Sequence, residues 1–176
     1  MPGYPLENFE VKVEDKYLCS QCSQVLKDPF QTYCGHRYCG SCLEEIFSSS
    51  PNVQMCKKCP QDAQTEDSLL RRDQSFPDRA IKRDIGVLAI KCTNADLCDW
   101  RGKVQEYDAH QEDCGFSFIP CVMQGCDKQV MRMDLAAHLE KECAMRQVKC
   151  KFCGQEILLK EEKVHLSINS QTFMFR

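Results

Sequence analysis

Apolar residues recur at helical spacing in only a few short stretches of this chain. Ala80, Ile81, Ile85 and Leu88 mark one face behind Ser75-Phe-Pro-Asp78, which reads as a helix start with a capping serine, an early proline and an acid in the first turn. This helix is expected to fasten the block before it to the block after it; the alternative is a loose linker between independent domains. Further along, Val104, Tyr107 and His110 repeat at three-residue spacing, and Val130, Leu135, His138 and Leu139 suit one face of a turn-and-helix segment capped near Asp134. Residues 1 to 16 lack a clear apolar period and read as a flexible lead-in, and Gln61 to Ser68 is a polar connection. No window is apolar enough to cross a bilayer, and the first thirty residues hold no apolar run behind a basic start. The expectation is a soluble, intracellular chain without membrane insertion.

Composition changes the picture. Fifteen cysteines and four histidines stand among 176 residues. In a secreted chain that density would mean disulfides, but the number is odd and no export signal accompanies it, so the thiols are expected to be reduced and to bind metal. A lone cysteine is usually a small buried hydrophobe. Regular pairs are not explained that way.

The first block reads Cys19, Cys22, Cys34, His36, Cys39, Cys42, Cys56 and Cys59, eight soft donors, enough for two tetrahedral zinc ions. A CxxC turn brings two thiolates to one metal because its knuckle of backbone amides donates to the sulfurs. Spacing alone permits two sequential sites, or interleaved sites that join Cys19 and Cys22 to Cys39 and Cys42. Beyond Cys59 come three further groups: Cys92, Cys98, His110 and Cys114; Cys121, Cys126, His138 and Cys143; Cys150, Cys153 and His165. In each, eleven residues separate the second cysteine from the histidine, and the first cysteines stand 29 residues apart twice over. This is an internal repeat, and each copy should be a small zinc-nucleated finger with a hairpin between its cysteines and a helix carrying its histidine.

The groups absorb every cysteine and every histidine, so none remains as a catalytic nucleophile or its base. The third finger is one ligand short. Counting past His165 as in its predecessors reaches Asn169 or Ser170, which predicts weak or no zinc there and a frayed C-terminus from about Lys160.

With the eight-ligand block, FPDRAIKRDI and the 29-residue fingers in view, the chain resembles the N-terminal half of the TNF receptor-associated factors, from Tyr17 to about Leu166. The resemblance implies small zinc-stabilised α+β modules: a cross-brace RING finger followed by tandem hairpin-helix TRAF-type zinc fingers. It implies the interleaved pairing, with Cys19, Cys22, Cys39 and Cys42 on one zinc and Cys34, His36, Cys56 and Cys59 on the other. The expected division is a lead-in at 1–16, the RING at 17–62, a linker with a short helix at 63–86, fingers at 87–115 and 116–144, and an incomplete finger with a frayed end at 145–176. The zinc ions, closed by four protein ligands, would be structural.

The resemblance further implies a cytoplasmic protein of TNF-receptor, NF-kappa-B and apoptosis signalling. Its RING would position the thioester of a ubiquitin-conjugating enzyme and ubiquitin for attack by a substrate lysine, with no covalent intermediate of its own. Signalling proteins would be its other partners, and a RING-mediated dimer is allowed. Against ligase activity stand polar residues where such RINGs usually offer apolar ones: Gln21 before the second cysteine, Ser23 after it, and Lys57 and Lys58 after Cys56, although Leu43 and Pro60 keep part of the pattern. The alternative is a non-catalytic zinc-binding interaction module. Nothing after residue 160 shows the heptads or strand alternation expected of the family's coiled coil and receptor-binding domain, so the chain reads as a fragment or truncated form, a decoy for RING partners. DNA binding is not expected: net charge is −3, and VQEYDAHQED carries Glu106, Asp108, Glu112 and Asp113 without lysine or arginine.

Overall fold

Strand pairing begins where β-branched and aromatic residues flank a tight turn. In the computed structural model, which describes residues 3–49, 54–60 and 65–173, β1 (Pro29–Thr32) pairs antiparallel with β2 (Arg37–Cys39), Phe30 opposite Tyr38. Gly35 makes the connection at φ +83°, a left-handed conformation that glycine adopts without cost. Helix α1 (Gly40–Ser49) comes directly after and buries Cys42, Leu43 and Ile46 on one stripe. The short strands β3 (Gln54–Met55) and β4 (Leu69–Leu70) pair with each other, and β5 (Ser75–Pro77) adds to the free edge of β1. The first half of the expected polar connection, 61–64, lies outside the described residues.

Two compact units emerge, Met1–Glu112 and Asp113–Arg176. In the first, helix α2 (Arg79–Gly86) buries Ile81 and Ile85 in the core that also holds Leu43 and Ile46 of α1. Val104 and Tyr107 of α3 (Val104–Asp113) complete it, beside the hairpin of β6 (Ala89–Lys91) and β7 (Arg101–Lys103). Leu88 packs against this core, but Ala80 is exposed, a helical step off the Ile81–Ile85 stripe. The cap also differs from expectation. Ser75 to Pro77 are strand, and Asp78 is the N-cap, its Oδ1 accepting from the Ile81 amide at 3.0 Å. Proline suits β5 because that strand lies at the sheet edge.

The lead-in is not a loose tail. The amide of Tyr4 donates to the Val25 carbonyl at 2.9 Å and the Val25 amide returns the bond at 3.1 Å. Phe9 bridges Ile90, and both Phe9 and Val13 are buried. Asn8 Nδ2 donates to Thr93 Oγ1 at 3.1 Å and to the Tyr107 hydroxyl at 3.3 Å. A Cβ on Gly3 would meet the Val25 carbonyl oxygen at 2.7 Å, so the backbone here approaches too closely for any side chain. Single bridges and two three-residue 3-10 turns, Leu6–Asn8 and Asp15–Tyr17, hold the segment, elements too short to show a period.

In the second unit, β8 (Phe118–Pro120) pairs with β9 (Gln129–Met131), and β10 (Gln147–Lys149) with β11 (Glu156–Leu158). After β9 the chain winds through a 3-10 turn at Arg132–Asp134 and α4 (Leu135–Ala137) into a π-helical turn at His138–Glu142. Asp134 is already helical there and makes no capping bond, because the helix is entered three residues earlier. After β11 a 3-10 turn at Leu159–Glu161 leads to α5 (Glu162–Phe173). The segment expected to fray from Lys160 is therefore helical through Phe173. Its sequence carries no apolar stripe to announce a helix. No helix among the described residues is long and apolar enough to cross a membrane.

Candidate metal centres

Each hairpin presents thiols from its knuckle, and the next helix or strand supplies the rest. Cys19, Cys22, Cys39 and Cys42 have donor atoms all within 4.8 Å of one another, as do Cys34, His36, Cys56 and Cys59. Of the two pairings that spacing permits, this is the interleaved one. The fold accounts for it: the β1–β2 turn carries Cys34 and His36, whereas Cys39 ends β2 and Cys42 lies in the first turn of α1, and the two pairs fall in different groups.

Amides and hydroxyls aim at the sulfurs. Gln21 N and Cys39 N donate to Cys19 Sγ at 3.4 and 3.3 Å, and Lys27 N to Cys39 Sγ at 3.3 Å. The bond with Cys39, working against burial and helped by backbone amides, draws the Cys19 thiol down to about 4, while the same bond and burial hold Cys39 above the ordinary thiol range. Thiols this close cannot all ionise unless a cation takes up their charge. In the other group of the first block, His36 Nδ1 lies 3.5 Å from each of Cys34, Cys56 and Cys59 Sγ. The buried Tyr38 hydroxyl donates to Cys56 Sγ at 3.0 Å, and burial, then that bond, keep the phenol protonated as a donor.

The fingers repeat the scheme. Cys92, Cys98, His110 and Cys114 form one group, Cys121, Cys126, His138 and Cys143 another. Here the histidines offer Nε2, 3.6 Å from Cys98 Sγ and 3.7 Å from Cys126 Sγ. Trp100 stacks flat on His110, ring centres 4.2 Å apart, and Gln111 Nε2 donates to Cys92 Sγ at 3.4 Å. His138 is 2% exposed, with Glu142 Oε2 3.9 Å from its Nδ1. Cys150, Cys153 and His165 come together as a group of three. Tyr38, Gln111 and the stacking of Trp100 are the supporting contacts that sequence reasoning missed. Only tertiary proximity reveals them.

Donor chemistry and geometry both fit Zn2+. Tetrahedral zinc with bonds of about 2.3 Å to sulfur and about 2.0 Å to nitrogen demands edges of about 3.8 Å between sulfurs and about 3.5 Å from sulfur to nitrogen. The separations here are 4.0 Å for Cys22–Cys39, 3.9 Å for Cys121–Cys143, and 3.5 to 3.7 Å from sulfur to histidine nitrogen in the four-donor groups. A cross-braced pair of centres followed by hairpin–helix centres defines a RING and zinc-finger protein.

Comparison with known proteins narrows the class. Residues 19–59 match the RING domain of TNF receptor-associated factors 2, 3 and 5, and residues 110–165 match the TRAF-type zinc finger. Human TNF receptor-associated factor 2 is 36% identical over 167 residues, covering 93% of this chain and 32% of that protein. Mouse TNF receptor-associated factor 5 is 29% identical over 157 residues, covering 89% and 27%. Human TNF receptor-associated factor 6 is 31% identical over 163 residues, covering 93% and 29%. The chain carries the RING and zinc-finger region of the TNF receptor-associated factor family, and spans less than a third of the length of each of these relatives.

Proposed function

We propose that this chain is a RING-type ubiquitin-ligase module of cytoplasmic TNF-receptor-class signalling, and that its grouped cysteine and histidine side chains are zinc ligands. The RING holds a ubiquitin-conjugating enzyme so that a substrate lysine attacks the thioester, which is catalysis by positioning. The observation that carries this reading is the interleaved pair of four-donor groups. Two ions tie the same short segments together twice over, giving a rigid platform. Every cysteine also belongs to a donor group, so no thiolate stands apart as an acyl carrier.

A second reading, a non-catalytic interaction module, is favoured by one surface. Lys57 and Lys58 are exposed, Ser23 is exposed in a left-handed turn at φ +59°, and Leu43 is only 2% exposed, turned into the core. Gln21 is half-buried, and its Oε1 is enclosed without a hydrogen-bond partner. An apolar anchor at such a contact is typically worth about 1 kcal/mol or more, and polar replacements forfeit it. An autoubiquitination assay over a panel of conjugating enzymes separates the readings. A ladder with at least one of them is expected. No ladder with any, while native mass spectrometry finds the four-donor groups filled with zinc, leaves the interaction module.

A further inference from the structure

Among the described residues the C-terminal centre gathers three donors where the other centres gather four. In the two preceding fingers the fourth donor stands four positions past the histidine, His110 to Cys114, or five, His138 to Cys143. The same steps past His165 reach Asn169 and Ser170, and residues 166–176, LSINSQTFMFR, contain no Cys, His, Asp or Glu. Yet the three remaining donors are assembled. Cys150 comes just after β10, Cys153 sits in the turn before β11, and His165 lies on α5, with Cys153 Sγ 3.2 Å from His165 Nε2. The hairpin is shaped for this: the Cys150 amide donates to the Gln155 carbonyl at 2.8 Å, and Gly154, at φ +73°, donates to the Cys150 carbonyl at 2.9 Å.

Among the described residues, part of the rim of this group is exposed. Cys153 is exposed, and the neighbouring Phe152 is 82% exposed. Gln155 Oε1 lies 3.7 Å from Cys153 Sγ, a neutral oxygen donor at the rim of the group. Zinc is borderline soft and holds a thiolate in preference to an amide oxygen. Charge points the same way. Two thiolates and a neutral imidazole only balance Zn2+, whereas the other two fingers each offer three thiolates, and the exposed Lys151 and Lys163 add positive charge close by in the sequence.

We propose that Cys150, Cys153 and His165 hold a zinc ion whose fourth position takes a thiolate from a small thiol, completing the three-sulfur, one-nitrogen donor set of the other two fingers. In the binding step one zinc–sulfur bond forms, the oxygen donor in that position leaves, and the thiol proton passes to solvent. Nothing is oxidised or reduced. The site rests on the proposed zinc-ligand reading of the donor groups, but its readout is separate.

The full chain is loaded with four equivalents of zinc, which fill the four-donor groups, and then given one equivalent of Co2+ and titrated with 2-mercaptoethanol. The expected result is a bound fifth metal, a rise in thiolate-to-cobalt absorption as thiol is added, and a gain of one thiol mass per protein by native mass spectrometry. Cys153→Ser is expected to lose the fifth metal and the thiol response while keeping the other four ions. A fifth metal whose spectrum ignores the thiol overturns the proposal, as does the absence of a fifth metal in a chain holding four. Fewer than four ions overturns the wider zinc assignment as well.

Discussion

Asp78 does two things with one carboxylate. Its Oδ1 caps α2 through the Ile81 amide, and its Oδ2 accepts from Arg37 Nε at 2.8 Å, tying β2 to the helix. Burial pushes the acid up, but the Ile81 amide and the Arg37 guanidinium outweigh it and hold the carboxyl below its ordinary value. Such a group contributes stability above its unfolded pKa of about 3.9, and the contribution is lost as pH falls through the lower folded value. Asp78→Ala is therefore expected to cost about 1 to 2 kcal/mol, and Asp78→Asn less, since the amide oxygen still caps. Urea midpoints between pH 5 and 7 should show this deficit flat, because the carboxyl is ionised in both states throughout that window. Tyr38 offers a second test. Tyr38→Phe removes the donor to Cys56 and should lower zinc affinity at that centre about 10- to 100-fold, read by chelator competition, with the other centres unchanged. The acid in FPD is visible in sequence as a helix-start signal; that it, and not Ser75, is the cap was decided by the pairing of Ser75–Pro77 with β1.

Among the elements, the N-terminal segment departs most from its sequence. It has no period, yet it joins the RING core to the first finger: Tyr4 pairs with Val25, Phe9 with Ile90, and Asn8 reaches Tyr107. Phe9→Ala should destabilise the first unit by about 3 kcal/mol, the low end for a buried phenylalanine because the ring is 9% exposed. Val11, 58% exposed in the same segment, should tolerate alanine within about 0.5 kcal/mol. Thermal or urea unfolding of the two variants side by side checks both. Helix α2 was legible because Ile81 and Ile85 repeat at one turn. The π-helical turn at His138–Glu142 was not, since it arises where the helix must present His138 to Cys126 while reaching Cys143 for the same group. Helix α5 has its histidine at the repeat's spacing but no apolar stripe, so the ligand position was legible and the helix was not.

At the scale of the molecule, metal is what makes so little secondary structure sufficient. The paired strands are two to four residues long, and among the described residues of the second unit the buried side chains are all donors: Cys114, Cys121, His138, Cys143 and Cys150. Such a unit has little apolar surface to bury, and zinc supplies the folding free energy instead. Chelation at neutral pH should therefore abolish ordered structure in the second unit, seen as loss of far-UV dichroism and of amide dispersion, and zinc readdition should restore it. Acid should do the same as thiols and imidazoles take up protons, because bound metal requires the deprotonated ligands. The sequence by itself determined the donor groups of the fingers, since a covalent spacing of eleven residues and a period of 29 survive without any packing. It also determined that no thiol stands outside a group. Spacing left the RING pairing open, and only the folded hairpin, which puts Cys34 and His36 in its turn and Cys39 at the end of β2, decided it. Tertiary structure alone also decided that Phe9 and Val13 belong to the core, with Tyr4 packed against it, because contacts made through isolated bridges to distant strands leave no periodic trace in the chain.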